Sequence, residues 1–124
     1  MENTKFLYDA KVLDVHDGDT VSVIFDLGFK VTFQDKIRLY GINAPELRVR
    51  DAANKLVVNP LGTQTLEVLK TFLKPGDTIL VETIKDRKEK YGRYLANIYV
   101  TIEEKQVCLN EYLLNNGLAT EMKY

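Results

Sequence analysis

The residues most able to do chemistry in this sequence are charged ones next to apolar, alternating segments. Asp17 and Asp19 directly precede one such segment, and Arg38 interrupts another. Glu46 follows a proline that fixes the backbone, and Arg93 follows a glycine at the start of a third segment. An arginine in an apolar pattern either extends to solvent or binds an anion through paired hydrogen bonds. Each signal taken alone is also typical of a polar turn or loop.

Together these side chains favour phosphodiester hydrolysis assisted by a hard cation. Oxygen ligands suit Ca²⁺ or Mg²⁺, and two arginines would stabilise the negative charge that develops on a phosphate. Serine or cysteine nucleophile chemistry does not fit, because His16 and Cys108, the single residues of their types, lie in no recognisable signature. The single cysteine also excludes an internal disulfide and a cysteine-rich zinc cluster.

Length and composition indicate one globular domain over residues 1–124. The chain is 45% hydrophobic and 28% charged, which is ordinary for a soluble protein. It has no apolar run long enough to cross a membrane, and its first residues lack the apolar core of a signal peptide. As given, we expect a cytoplasmic protein, although a leader removed by processing would not be seen. The net charge of −1 argues mildly against binding nucleic acid by overall attraction, whereas residues 85–93 are locally basic.

Hydrophobic periodicity predicts strands in the first half of the chain and helices later. The predicted strands lie around Val12–Val15, Val21–Phe25, Val31–Phe33 and Ile37–Leu39, with turns at 16–20, 26–28 and 34–36. Residues 47–60 are predicted as a surface loop or an irregular helix. A helix from Thr63, strands at 78–84 and 94–100, and a helix at 109–117 follow. This order fits a five-stranded OB-fold barrel, but an α+β sandwich or a split antiparallel sheet fits nearly as well.

Four motifs in this order and spacing resemble the staphylococcal nuclease (thermonuclease) family: DGDT at 17–20, RLYGINAPE at 38–46, KYGR at 90–93 and NNGLA at 115–119. The resemblance extends from about Ala10 to Ala119. It implies a mainly β, α+β fold, namely a five-stranded OB-fold barrel capped by two or three helices. Active members of that family are Ca²⁺-dependent endonucleases that cleave DNA and RNA and leave 3′-phosphate ends.

The resemblance also implies a metal site. Asp19 matches a metal-ligand aspartate, and Ala44 falls where a backbone carbonyl serves the metal. Asn43 stands where the family has a second aspartate, and its amide oxygen is still an ordinary ligand for Ca²⁺. A charge pair at about 4 Å is worth about 4 kcal/mol at an effective dielectric of about 20, before desolvation. We therefore expect Ca²⁺, with Mg²⁺ or Mn²⁺ as alternatives, bound about one or two decades more weakly than with aspartate.

The remaining matches concern the phosphate and the water. Arg38 and Arg93 match the two arginines that contact the scissile phosphate, and Glu46 matches the glutamate that orients or deprotonates the attacking water. Lys90 and Tyr91 fall where the family contacts the terminal phosphate of a nucleotide.

Two functions remain open at this point. The first is a metal-dependent nuclease that acts as a monomer on DNA or RNA, away from membranes. It is favoured by the retention of Arg38, Glu46 and Arg93. The alternative is a weak or inactive module of the same barrel that binds nucleic acid or protein, which Asn43 favours. The family's base-stacking C-terminal tyrosine has only a loose match in Tyr124.

Overall fold

Five long strands and two helices account for most of the computed structural model, which describes residues 6–123. In chain order the elements are β1 (Leu7–Asp17), β2 (Thr20–Asp26), β3 (Thr32–Leu39), β4 (Ile42–Asn43), β5 (Arg48–Arg50), β6 (Leu56–Val58), α1 (Pro60–Phe72), β7 (Thr78–Lys88), β8 (Tyr94–Ile102), β9 (Lys105–Cys108), α2 (Leu109–Asn115) and β10 (Thr120–Glu121).

The barrel is closed by one parallel pairing. Strands β1, β2 and β3 form an antiparallel meander, and β7 pairs antiparallel with both β1 and β8. The sheet then closes because Ile37, Arg38 and Leu39 of β3 pair in parallel with the start of β8. The predicted five-stranded OB-fold barrel is therefore confirmed, whereas the sandwich and the split sheet are excluded.

Alternating side chains fill the barrel, with one irregularity in β1. Val21, Val23 and Phe25 of β2 all point inward and are at most 3% exposed. In β1 the buried residues Val12 and Val15 are three apart, a spacing that a regular strand cannot place on one face. Register shifts in the pairing of β1 with β2 accommodate the extra residue, as β-bulges do.

Three details of the sequence-based prediction were wrong. Residues 34–36 do not form a turn, since they lie within β3 and pair with residues 22–24 of β2. The helix predicted from Thr63 begins at Pro60, with Asn59 as its N-cap. Residues 47–60 form neither an irregular helix nor a plain loop, because β5 and β6 pair as a small hairpin. At its tip, Asp51 Oδ1 accepts hydrogen bonds from the N–H groups of Ala53 and Lys55.

Helix α2 is anchored to the barrel by a buried asparagine. Asn110 is 3% exposed; its Oδ1 accepts from the Ile98 N–H at 3.1 Å. Its Nδ2 donates to the carbonyls of Tyr40 and Ala96 at 2.8 and 3.1 Å. One side chain thus links α2 to β8 and to the segment that follows β3. Neither helix described here has the length and apolar run needed to span a bilayer.

We predict that Asn110→Ala lowers the free energy of unfolding by about 2–4 kcal/mol, because it removes three hydrogen bonds at a buried position. Urea unfolding followed by circular dichroism measures the change. Asn116→Ala is the matched control, since Asn116 is exposed and donates one local hydrogen bond to the Tyr112 carbonyl. Equal, small effects of the two substitutions would contradict the anchoring role of Asn110.

Candidate active site

One cleft beside the barrel gathers the side chains that the sequence singled out. It has a volume of about 800 Å³ and lies between the β1–β2 turn, the segment after β3, the β7–β8 turn and the C-terminal segment. Its lining includes all eight predicted site residues: Asp19, Arg38, Asn43, Ala44, Glu46, Lys90, Tyr91 and Arg93. Residues that are far apart in sequence therefore share one surface.

A buried ion pair forms the inner part of the cleft. Arg38 Nη1 lies 3.1 Å from Asp19 Oδ2, and the two residues are only 7% and 9% exposed. The guanidinium also donates to the carbonyl of Ile42 at 3.1 Å, to that of Leu39 at 3.4 Å, and to Asn43 Oδ1 at 3.3 Å. A buried guanidinium needs such acceptors, so the segment after β3 folds around it.

The carboxyl groups of Asp17 and Asp19 influence each other. Burial and the hydrogen bond with Asp17 raise the pKa of Asp19 to about 6, against the opposing effect of Arg38. Burial also disfavours ionised Asp17, but hydrogen bonds from the Asp19 side chain and N–H outweigh it and lower the pKa of Asp17. Because burial penalises its charge, ionised Asp19 would be stabilised by a further cation beside it.

Gly18 allows the β1–β2 turn to approach the segment after β3. A Cβ atom at Gly18 would lie 2.7 Å from the Cβ of Ala44 and 2.8 Å from Cγ2 of Thr65. Only glycine permits this packing. The close approach brings the Ala44 N–H within 3.1 Å of Asp19 Oδ2, to which it donates. Gly18 therefore does more than form a turn, because its lack of a side chain lets Asp19 lie next to residues 43 and 44.

Two side-chain oxygens beside Arg38 could coordinate a metal ion. Asp19 Oδ2 and Asn43 Oδ1 contact the same guanidinium, and pairing of Asn43 with Thr120 of β10 fixes the local backbone. Together with the Ala44 carbonyl, these oxygens fit a hard cation such as Ca²⁺. Within residues 6–123, no three histidine, cysteine, aspartate or glutamate side chains form a metal-holding group. Water and phosphate oxygens would therefore complete the coordination of a bound cation.

Helix α1 holds the backbone of Glu46 in place. Asn59, its N-cap, donates from Nδ2 to the Glu46 carbonyl and from its N–H to the Leu47 carbonyl, both at 2.8 Å. A Cβ atom at Gly62 would lie only 2.2 Å from the same Glu46 oxygen, so glycine is required there. The Glu46 side chain is exposed and lines the cleft. An exposed carboxylate is thus attached to a well-fixed backbone.

Arg93 is oriented from two sides. Its Nε and Nη2 donate to the two carboxylate oxygens of Glu89 at 3.0 and 3.1 Å, and its Nη1 donates to Thr20 Oγ1 at 2.7 Å. Thr20 Oγ1 in turn donates to Asp19 Oδ1 at 3.3 Å. Hydrogen bonds from Arg93 lower the pKa of Glu89 to about 2. A continuous chain of contacts therefore joins the β7–β8 turn to the buried ion pair.

Tyr91 presents an aromatic surface on the exposed side of the cleft. It is 71% exposed, and the Lys90 ammonium lies 5.0 Å from its ring centroid. The Arg93 guanidinium lies 5.5 Å from the same centroid. Both distances are typical of cation–π contacts, so the ring and the two cations form one local surface.

Sequence reasoning missed the residues that position the site: Gly18 as a packing residue, Thr20, Asn59, Gly62, Glu89 and Met122, whose sulfur accepts from Arg38. Asn59 was detectable, because asparagine followed by proline is a helix-start signal. The others act on residues distant in sequence, or, like Glu89, look like ordinary surface charge. Tyr124, the loose match to the base-stacking tyrosine, lies outside the described residues.

The barrel and its arginine- and carboxylate-lined cleft define a nuclease-type OB-fold. The sequence profile of the family described as "Staphylococcal nuclease homologue" matches residues 36–124. The chain belongs to this family. The match covers Arg38, Glu46 and Arg93 and begins after Asp19.

Three relatives match nearly the whole chain. Endonuclease YhcR of Bacillus subtilis is 35% identical over 90% of this chain, which corresponds to 9% of that protein. Endonuclease YncB of the same organism is 32% identical over 95% of this chain and 50% of its own length. The uncharacterized protein MJ1439 of Methanocaldococcus jannaschii is 32% identical over 90% of this chain and 58% of its own. The chain thus spans between about a tenth and three fifths of these relatives.

We predict that Glu89→Gln destabilises the protein by about 1 kcal/mol at pH 7. The folded-state pKa of about 2 lies below the ordinary 4.5, so the stabilisation is present above about pH 4.5. It disappears as the pH falls toward 2. Urea unfolding of parent and variant at pH 7, 4.5 and 3 measures the difference. Glu67→Gln on the exposed side of α1 is the control, and a Glu89→Gln difference that stays constant with pH would contradict the assignment.

Proposed function

We propose that this chain is a Ca²⁺-dependent endonuclease that hydrolyses phosphodiester bonds of DNA or RNA and leaves 3′-phosphate ends. The observation that carries the proposal is the meeting of two arginines, one exposed carboxylate and a set of oxygen donors in a single cleft. Two of the relatives, YhcR and YncB, are named endonucleases, which supports the proposal.

In the proposed reaction, Arg38 and Arg93 bind the scissile phosphate. Arg93 binds the phosphate through N–H groups that do not donate to Glu89 or Thr20. These two partners fix the orientation of its guanidinium. Arg38 is held by the ion pair with Asp19. Preorganised donors of this kind stabilise the charge that accumulates on phosphate oxygens in the transition state.

Glu46 is proposed to act on the attacking water. Its carboxylate accepts a proton from the water, or orients it, as the water oxygen forms a bond to phosphorus. The bond from phosphorus to the 5′-oxygen breaks, and that oxygen takes a proton from solvent and leaves as a 5′-hydroxyl. Asp19, Asn43 and the Ala44 carbonyl would hold Ca²⁺, which supplies positive charge beside the phosphate when bound.

A basic hairpin next to Glu46 supports binding of a polyanion. Arg48 and Arg50 of β5 lie opposite Val58 and Leu56 of β6, and all four side chains are exposed. The alternation of strand residues puts these four on one face of the hairpin. The hairpin begins two residues after Glu46, so its arginines are near enough to contact phosphates that flank the scissile one.

We predict that Glu46→Ala lowers kcat about 10²- to 10⁴-fold, the range that general acid–base catalysis contributes. KM should change little, because the two arginines and the hairpin remain. Cleavage of a labelled single strand with Ca²⁺ measures both parameters.

Glu67→Ala, an exposed glutamate on α1 outside the cleft, is the matched control and should keep parental activity. If Glu46→Ala retained more than a tenth of the parental kcat, the role assigned to this carboxylate would be wrong.

A second candidate function is a barrel that binds nucleic acid or protein without cleaving it. It is favoured by Asn43, an amide where the family has a carboxylate, because the exchange removes one negative charge from the metal ligands. The Arg38 guanidinium also favours this alternative, because it already donates hydrogen bonds to oxygens of Leu39, Ile42 and Asn43. Absence of cleavage with Ca²⁺, Mg²⁺ and Mn²⁺, together with retained strand binding, would establish this alternative.

We predict that Asn43→Asp tightens Ca²⁺ binding by about one or two decades. Isothermal titration calorimetry with a nucleoside bisphosphate present measures the affinity independently of turnover. Asn54→Asp, in the β5–β6 turn, adds the same charge outside the cleft and should leave the affinity unchanged. Equal Ca²⁺ affinities of Asn43→Asp and the parent would exclude residue 43 as a ligand.

A further inference from the structure

A second cavity opens at one mouth of the barrel, apart from the cleft. It has a volume of about 180 Å³, and all five barrel strands contribute to its lining. Four of the lining side chains are aromatic: Tyr8, Phe25, Phe33 and Tyr94. Mouths of β-barrels are common ligand sites, because the strands hold facing side chains apart in a fixed arrangement.

The aromatic rings form a continuous wall. Phe25 contacts Tyr8 edge to face at 5.8 Å between centroids and stacks on Phe33 at 6.2 Å. Phe33 contacts Tyr94 edge to face at 5.9 Å. Phe25 is 3% exposed, as expected for a core residue, but Phe33 is 39% exposed. Filling of the barrel interior explains the position of Phe25. It does not explain the exposed face of Phe33.

A carboxylate is built into this aromatic cavity by an irregular stretch of β7. Lys85 and Asp86 have φ angles of 53° and 52°, and the pairing of β7 with β8 shifts register here. Asp86 lines the cavity, and its carboxylate accepts hydrogen bonds from the hydroxyls of Tyr8 and Thr83. Left-handed backbone at non-glycine residues is strained and tends to occur at functional sites. The left-handed backbone at Lys85 and Asp86 places the Asp86 carboxylate, a hydrogen-bond acceptor, beside the aromatic rings.

Basic residues flank the carboxylate of the cavity in sequence. Lys85, Arg87 and Lys88 flank Asp86 in sequence, and all three are exposed. Lys88 Nζ lies 5.0 Å from the centroid of the Tyr94 ring. Lys88, at the Tyr94 ring, favours a ligand with an anionic part, and the aromatic wall favours a flat apolar part. A nucleotide has both, and its base offers N–H groups to a carboxylate.

A groove and one lysine side chain lie between the aromatic cavity and the cleft. A groove of about 400 Å³ runs past Tyr91 and Arg93, which also line the cleft, to Asp35 of β3. Lys88 Nζ lies 3.6 Å from Asp35 Oδ2 while it also covers the Tyr94 ring. Lys88 therefore stands between the groove and the aromatic cavity.

We propose that the barrel mouth is a nucleobase site for a nucleotide a few positions away from the scissile phosphate on the same single strand. The inference rests on the proposed function, because it takes the strand to lie in the cleft. In this site the base stacks on Phe33, an N–H group of the base donates to Asp86, and the backbone phosphate lies near Lys88. The site would make binding of longer strands tighter than binding of a single nucleotide in the cleft.

The test compares single-strand binding by two phenylalanine variants. Phe33→Leu keeps apolar volume but removes the aromatic face, whereas Phe29→Leu makes the same change at a fully exposed residue outside the cavity. Fluorescence anisotropy with a labelled eight-nucleotide single strand is measured on proteins that also carry Glu46→Ala, so that the strand stays intact. We expect Phe33→Leu to weaken binding about tenfold and Phe29→Leu to change it less than twofold.

A second measurement needs neither variant. Titration with deoxycytidine 5′-monophosphate should shift the ring-proton resonances of Tyr8 and Tyr94 in nuclear magnetic resonance spectra. Equal strand affinities of the two leucine variants, or ring resonances that stay unchanged, would overturn the base site. A shift caused by tetramethylammonium but not by the nucleotide would also overturn it. The proposed function is judged separately, by cleavage with Glu46 intact.

Discussion

The buried pair of Asp19 and Arg38 is the interaction on which the rest of the site depends. Removing two charges from water costs several kcal/mol per ion, and the attraction between them offsets this only when the remaining donors are also satisfied. Arg38 meets that requirement with carbonyl oxygens of Leu39 and Ile42. The segment that carries Asn43, Ala44 and Glu46 therefore folds so that its backbone can accept hydrogen bonds from the Arg38 guanidinium.

The same pair links the closure of the barrel to the geometry of the site. Arg38 takes part in the parallel pairing that closes the barrel, where it lies opposite Leu95 of β8. Two residues before Leu95 along the chain is Arg93, which reaches Thr20 and through it Asp19. Closing the barrel thus brings the two arginines to the same cleft, although they lie in separate motifs of the sequence.

The residues that line the cleft could be picked out from the sequence because their types and positions are unusual. An arginine in an apolar pattern and a carboxylate after proline are visible without coordinates, as is the alternation of β2. The bulge in β1 and the hairpin at residues 47–60 could not be predicted, because they depend on pairing partners. Gly62 and Thr20 escaped notice for a similar reason, since each acts on a residue far away in the chain.

Charge balance within the cleft bears on the choice between nuclease and binding module. Among the described lining residues, the cations are Arg38, Lys90 and Arg93, and the carboxyl groups are Asp17, Asp19, Glu46 and Glu89. Four potential negative charges against three positive ones give a cleft that does not attract a phosphate by itself. Positive charge must come from a bound cation or from the neighbouring basic segments, and the two functions differ in which source they use.

Asn43 affects both sides of this balance. An aspartate in its place would add a fifth carboxylate, which would strengthen the hold on a cation and increase the repulsion of a phosphate when no cation is bound. Asn43 holds a cation less strongly than an aspartate would, and it adds no repulsion of a phosphate. The substitution therefore makes strand binding less dependent on the cation, while the proposed hydrolysis still requires it. Under the proposed function, a chain with asparagine here would hold a strand at cation concentrations too low for cleavage, so binding and cleavage would be separable properties of one cleft.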